Sequence, residues 1–362
     1  MNILHISRTM GQGGAEKVVY QICKDLDENM VVASIGGCYE KELLSIGIKH
    51  YIIPDIDNKN PFLIIKTLVI LKKIIKNEKI DVIHSHHRMA AFYSRILTLF
   101  SGNKVKRVYT AHNVFINRKH LLNFSLKGSR IIAVGNGVKE NLINFYNVKE
   151  NLIEIIYNSV EKPKKENVVN DEIFNKKDAV FIGTIGRLSN QKGIDIFMKA
   201  INEVVTINKN VYGLIIGDGE LKKEMINLRD SLAGKNNIVF LGYRSDILDL
   251  IKKLNFVVLA SRWEGFPLTP IETFMMGKTI IATDIEGNNE IIKNDINGLL
   301  FEKDNYLELS KKIKFLINND NIRKKLENHA SEDYIEKYNY RIFVNKYKNL
   351  YLELEMMEEK VL

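Results

Sequence analysis

Cysteine is almost missing from this 362-residue chain: Cys23 and Cys38 are the only two. That excludes a disulfide framework and a cysteine-rich zinc module, and their fifteen-position spacing is far from C-x-x-C, so they read as reduced thiols. Long apolar runs are also absent. The richest window, residues 61–75, is broken by Lys66, Lys72 and Lys73, and no spanning helix is expected. The start, Met1 to Arg8, has no cationic region followed by a long apolar stretch, so it is not expected to be a signal peptide. These absences point to the cytoplasm, or to the inner face of a membrane.

Acids are scarce in one place. Between Val82 and Lys139 there is no Asp or Glu, against ten basic residues including Arg88, Arg95, Lys104 and Arg107. Extended back to Lys59, the segment carries sixteen basic residues and two acids, net +14, which leaves −5 for the rest of a chain whose total is +9. A solvated basic face is the plain explanation. Contact with an anionic membrane fits better, because Phe92, Tyr93, Ile96, Leu97, Leu99 and Phe100 interleave with the charges at helical spacing. Nucleic acid suits the sign, but no zinc-finger pattern, RNP-type strand or recognition helix is found, so no nucleic-acid partner is expected.

What is present is enough to build large cores: 45% hydrophobic and 27% charged residues over a length that suggests two domains. Short β-branched runs alternate with amphipathic stretches. Strands are predicted at 2–7, 31–35, 81–84, 107–111, 130–134 and 153–156, with helices such as 15–26, 61–76 and 88–100 between them. A polar, proline-containing run from Glu161 to Asn167 resembles a linker, after which the pattern restarts with strands at 179–185, 211–216, 238–241, 256–259, 279–282 and 299–301. The fold class is α/β, with two facing Rossmann-like domains of parallel sheet and ligand sites at the carboxyl ends of strands.

Three loops carry the chemistry. Gly11-Gln12-Gly13-Gly14 opens a helix after the first strand, where backbone N–H groups can approach an anion. Its spacing matches neither a P-loop nor G-x-G-x-x-G, and a plain tight turn explains it as well. Gly186-Arg187-Leu188-Ser189-Asn190-Gln191-Lys192-Gly193 sets two cations at a strand end, suited to a diphosphate or simply to solvent. The strongest set runs from Ser261 to Glu272. Gly265 and Pro267 delay helix until about Leu268, placing Glu264 on the loop and Glu272 one turn in. The N–H groups of Leu268 and Thr269 are then free for phosphate oxygens.

Glu264-x₇-Glu272 resembles the E-x₇-E motif of the family-four retaining glycosyltransferases with the GT-B fold. Gly13–Glu16, the Gly186–Gly193 loop, Gly217-Asp218-Gly219-Glu220, Gly287 to Glu290 and Asn297-Gly298-Leu299 are similar to the family's other signatures, in order. The resemblance implies that Arg187 and Lys192 neutralise the donor diphosphate, Glu272 binds the nucleotide ribose, and Glu264 holds hydroxyls of the transferred sugar. It implies that Gly13, Gly14 and Gly186 bring backbone close to the donor, with Leu268 and Thr269 beside it, and that His112 lies near the sugar and acceptor. Arg187, Lys192, Glu264 and His112 are the expected catalytic set. The implied domains are 1–160, with 340–362 packing back on it, and 161–339. The implied reaction is metal-independent retaining transfer from a nucleotide-diphosphate sugar, a UDP-sugar by analogy, with no cofactor. The acceptor expected is a saccharide or lipid-linked saccharide of envelope or exopolysaccharide synthesis.

Rival signals weigh less. Asp55-Ile56-Asp57 is a D-x-D that could hold a metal, or a turn. His84-Ser85-His86-His87 suggests metal ligands, yet its surroundings are cationic; a cluster lining the acceptor side and an inert surface cluster stay open. Trp263 lies either beside the donor or on the surface. A sugar-nucleotide epimerase or hydrolase of the same scaffold, and a catalytically silent membrane-surface protein, are the alternative functions.

Overall fold

The computed structural model describes residues 1–99, 105–163 and 168–359. Phe100 and Lys104, and Lys164 to Asn167 of the expected linker, lie outside the described residues. The chain divides into two compact units, Met1–Ser159 with the C-terminal helix, and Val160–Asn339.

In the first unit the order is β1 (Asn2–Ile6), α1 (Gly14–Asp25), β2 (Asn29–Ser34), α2 (Tyr39–Ser45), β3 (Lys49–Ile52), α3 (Pro61–Asn77), β4 (Val82–Ser85), α4 (Arg88–Leu99), β5 (Lys106–Ala111), α5 (Lys119–Leu126), β6 (Arg130–Ala133), α6 (Asn136–Asn144) and β7 (Ile153–Ile155). The strands are parallel, in the order β3-β2-β1-β4-β5-β6-β7. The strand order reverses between β1 and β4, so their carboxyl ends flank a crevice where such sheets take ligands. β3 was not expected from the sequence. It is a four-residue edge strand whose buried alternation is weak, and the pairing of Val31 to Ser34 with Lys49 to Ile52 defines it.

The second unit repeats the plan with β8 (Val180–Ile185), α7 (Ile194–Val205), β9 (Val211–Ile216), α8 (Lys222–Ser231), β10 (Ile238–Gly242), α9 (Ile247–Lys253), β11 (Phe256–Leu259), α10 (Leu268–Met275), β12 (Ile280–Thr283), α11 (Asn288–Ile291), β13 (Leu299–Phe301), α12 (Tyr306–Asn318) and α13 (Asp320–Asp333). Its sheet order is β10-β9-β8-β11-β12-β13, again parallel. The reversal here lies between β8 and β11, and the loops that leave those two strands hold Arg187 and Lys192 on one side and Glu264 on the other.

The last helix, α14 (Tyr340–Glu359), follows and belongs to the first unit. Phe343, Tyr347, Leu350, Tyr351 and Leu354 recur at helical spacing and are buried with Val18, Val32 and Ile132 of the sheet and α1. α4 corrects one expectation. Tyr93 and Leu97 face a core with Leu71 and Ile83, and Arg107 is buried, donating to the carbonyls of Ser125 and Lys127. Arg88 lies 3.7 Å over the Phe115 ring. The interleaved residues of α4 are therefore partly core and not one outward face. The outward apolar face belongs to α3: Phe62, Ile65 and Val69 are 82%, 59% and 49% exposed, and Lys66, Lys72, Lys73 and Lys76 are exposed among them.

Candidate functional site

In the second unit the loop after β8 is latched by its own apolar residue. Leu188 is buried; its N–H donates to the Asp218 carbonyl and its carbonyl accepts from the Leu221 N–H. That turns Arg187 outward, where it is exposed and its guanidinium makes no hydrogen bond or ion pair among the described residues. Gly219 makes room for this packing, since a Cβ there would stand 2.6 Å from the Leu188 carbonyl oxygen and 2.9 Å from Arg187 Cγ. A short turn then leads to Gly193 at φ +58°, where a side chain would collide with the Ala260 carbonyl.

The same turn aims Lys192 back across Gly186, whose missing side chain leaves space for the lysine stem. Lys192 Nζ donates to Glu264 Oε1 at 2.6 Å, and Ser261 Oγ donates to the same oxygen at 2.7 Å. Gln191 Nε2 reaches the Trp263 carbonyl at 2.9 Å and Glu264 Oε2 at 3.4 Å. Glu264 is 7% exposed, so its charge is met by a partly buried ammonium and two neutral donors. Arg262 clamps the loop from behind, donating to Asp195, Asp304 and Asn190; the Asp195 carboxylate chiefly raises its pKa.

Pro267 then starts α10, whose first N–H groups have no carbonyl within the helix. Glu272 is buried one turn in, and Thr269 is buried at the helix start. Trp263 is 46% exposed, on the surface. The structure brings Gly186, Lys192 and Glu264 into contact, and sets Arg187 and the α10 N-terminus on loops leaving adjacent strands. Ser261, Gln191 and Arg262 were missed by sequence reasoning; only their closeness to Glu264 and Lys192 in the chain hinted at them.

In the first unit, the glycine loop is closed by its own carboxylate. Thr9 Oγ1 donates to Glu16 Oε1 at 2.5 Å, and the Glu16 carboxyl group lies over Gly13 where a side chain would collide with it. Gly13 and Gly14 thus stand at the start of α1 with an acidic group already at its positive end. The D-x-D is a turn: both Asp55 oxygens accept from Arg8, at 3.0 and 2.9 Å, and Asp57 lies near Arg8, Arg118 and His87.

The strand-end histidines are not on the surface. His84 is fully buried and His86 is 5% exposed, and they join His5 of β1, which pairs in register with His84. His5 Nδ1 lies 2.9 Å from His86 Nε2, and His86 Nδ1 lies 3.1 Å from His112 Nε2, just past β5. His84 bonds Tyr351 Oη at 2.6 Å and Thr110 Oγ1 at 2.7 Å. Nitrogens of His5, His84 and His86 lie within 4.8 Å of one another. A metal there would have to break bonds that already engage both nitrogens of His84 and of His86, so the set fits hydrogen bonding better than ligation. Burial lowers His5 to about 3 and His112 to about 4, and holds His84 and His86 well below the usual range.

Two family models account for the chain: "Glycosyltransferase Family 4" over residues 12–162 and "Glycosyl transferases group 1" over 165–333. An uncharacterized glycosyltransferase of Methanocaldococcus jannaschii is 32% identical over 84% of this chain and 86% of its own. The chain belongs to the family-four glycosyltransferases. It is also 28% identical, over 91% of this chain and 90% of the relative, to an Escherichia coli enzyme named UDP-Gal:alpha-D-GlcNAc-diphosphoundecaprenol alpha-1,3-galactosyltransferase. Among solved structures, Anabaena HepE in complex with UDP-glucose superposes with a TM-score of 0.84 at 19% identity, covering 98% of this chain and all of that one. The fold of this glycosyltransferase is GT-B.

The buried histidines make stability depend on pH. Their folded pKa values lie below the unfolded value near 6.5, so the unfolded chain binds more protons as pH falls from 6.5 towards 4. Each such histidine should cost about 1.4 kcal/mol per pH unit across that window. Urea unfolding at pH 7.5, 6.5 and 5 should show a fall over the lower interval, above the carboxylate range; equal stabilities would refute the neutral, buried assignment.

Proposed function

We propose that this protein is a retaining glycosyltransferase that moves a sugar from a UDP-sugar to a lipid-linked saccharide acceptor, without a metal or cofactor. The observation that carries this reading is the loop after β8, with an unpaired outward Arg187 and a Lys192 held at 2.6 Å from Glu264 beside the loop leaving β11. The donor and acceptor classes rest on the Escherichia coli relative, whose name gives UDP-Gal and a diphosphoundecaprenol-linked sugar.

In this reading Arg187 and Lys192 meet the negative charge that grows on the departing UDP, which is electrostatic stabilisation of the leaving group. The α10 N-terminus, with Leu268 and Thr269, adds N–H donors to phosphate oxygens. Glu272 takes the ribose hydroxyls, and Glu264 Oε2 takes sugar hydroxyls. Glu264 Oε1 already accepts from Lys192 and Ser261, which suits a positioning carboxylate better than a nucleophile. The acceptor hydroxyl then attacks on the face the diphosphate leaves and passes its proton to a phosphate oxygen. Gly13, Gly14 and His112 keep the donor and acceptor roles that the resemblance implies. Asp55 and Asp57, paired with arginines, supply no metal site in this scheme.

The exposed face of α3 fits an anionic membrane, the source of a lipid-linked acceptor. Phe62, Ile65 and Val69 supply apolar insertion and four exposed lysines supply attraction, with no acid in the helix. In this reading the protein works on the inner surface of the cell membrane, in envelope or exopolysaccharide glycan synthesis.

Thermal unfolding tests the donor. A ligand at a hundred times its Kd stabilises a fold by ~2.7 kcal/mol; UDP or a UDP-sugar should shift the wild type, GDP and ADP should not, and Arg187→Ala should remove the shift. No response to any nucleotide contradicts the reading. Vesicle sedimentation tests the membrane face: Phe62→Ser with Lys66→Gln and Lys73→Gln should cut binding to anionic vesicles at least ten-fold, and unchanged binding would exclude α3.

A further inference from the structure

Three imidazoles, two buried and one partly buried, form a continuous line from the inside of β1 to the end of β5: His5, His86 and His112. Both nitrogens of His86 are used within it, one towards each neighbour. At the two ends, His5 Nε2 and His112 Nδ1 are buried and have no hydrogen-bond partner. A neutral imidazole has one N–H and one lone pair, so one bond in the line fixes the next. Only two neutral arrangements keep both bonds. In one, every proton sits on Nδ1 and His112 Nδ1 is a donor. In the other, every proton sits on Nε2 and His112 Nδ1 is an acceptor.

The ends are not equivalent. His5 is wholly buried between β2 and β4, with the His84 ring tilted against it at 5.1 Å, and its Nε2 lies inside the sheet with no partner. An orphaned N–H there is the costlier end, since buried donors without acceptors are the rarer defect in proteins. As a residue His112 is less buried than His5 and stands at the carboxyl end of β5; its Nδ1 is covered, and a ligand that displaces this cover completes its bond. The arrangement that leaves a bare lone pair on His5 and an N–H on His112 is the favoured one.

We propose that His86 and His5 are positioning residues that lock His112 in the Nδ1–H tautomer, so that it meets its ligand as a hydrogen-bond donor. The ligand is an oxygen acceptor, a sugar hydroxyl or phosphate oxygen of the donor, and only this last identification rests on the glycosyltransferase reading. A line that carries protons outward from the acceptor hydroxyl is not part of the proposal, because it would leave a cation on His5. Burial opposes that charge strongly.

The test is imidazole ¹⁵N–¹H NMR on the full chain labelled at its eight histidines, assigned with single variants. His5, His86 and His112 should each carry the proton on Nδ1. His86→Gln, whose amide can donate to His112 and accept from His5, should keep His112 in that state. His86→Phe should release His112 into a mixture of tautomers and lower kcat/KM with a UDP-sugar about five-fold, the worth of one neutral hydrogen bond. A wild-type His112 protonated on Nε2 overturns the proposal, as does an unchanged His112 spectrum in His86→Phe. If that variant does not fold, the wild-type spectrum alone decides. The Nδ1–H set in a protein that turns over no nucleotide sugar supports the lock and refutes the proposed function instead.

Discussion

The second unit is organised around the ion pair between Lys192 and Glu264. It ties the loop leaving β8 to the loop leaving β11, across the point where the strand order reverses. Such a pair contributes little net stability, because desolvation offsets most of the attraction, but removing either partner strands a charge. Its value is geometric. Glycine at 186 admits the lysine stem, Gly193 lets the chain turn under the Ala260 carbonyl, and Arg262 fastens the second loop to Asp195 and Asp304. With Lys192 committed to Glu264, Arg187 is left as the unpaired cation of this loop among the described residues.

The first unit solves a similar placement problem with neutral groups. Its strand ends carry a line of imidazoles that burial keeps uncharged, and Tyr351 of α14 fixes the neighbouring His84 ring. The terminal helix is therefore tied to the strand-end chemistry and to the core at once. Charge in this unit is instead displayed on α3, where lysines surround apolar side chains.

Much of the architecture was legible in the sequence because central parallel strands are buried on both faces and read as continuous β-branched runs. Val211–Ile216 and Phe256–Leu259 match their predicted spans, as does the buried edge strand Leu299–Phe301, and the others shift by one or two residues at their ends. β3 was not legible, since Lys49 to Ile52 is an edge strand that exposes half of itself. Among candidate site residues, the Glu264 and Lys192 motifs were visible as spacing, but their mutual contact joins residues 72 positions apart in the chain. Ser261 and Gln191 look like ordinary polar loop residues until that contact exists. The histidine cluster was visible only in part: His84 and His86 are close in sequence, whereas His5 enters through strand pairing and His112 through the next βα unit. Interleaved charge in α4 misled for the opposite reason, because long basic side chains can stack on aromatics, as Arg88 does on Phe115, and leave no free face.

The central claim is that the cationic loop after β8, braced by Glu264, is the diphosphate site. Calorimetric titration of UDP into the wild type and into Lys192→Met tests it most directly, with Glu264→Gln as a companion that keeps both cations. Loss of a charge-assisted contact should weaken UDP about ten- to a hundred-fold in Lys192→Met, while Glu264→Gln should bind within a few-fold of the wild type. A Lys192→Met protein that is folded and binds UDP as tightly as the wild type would contradict the account.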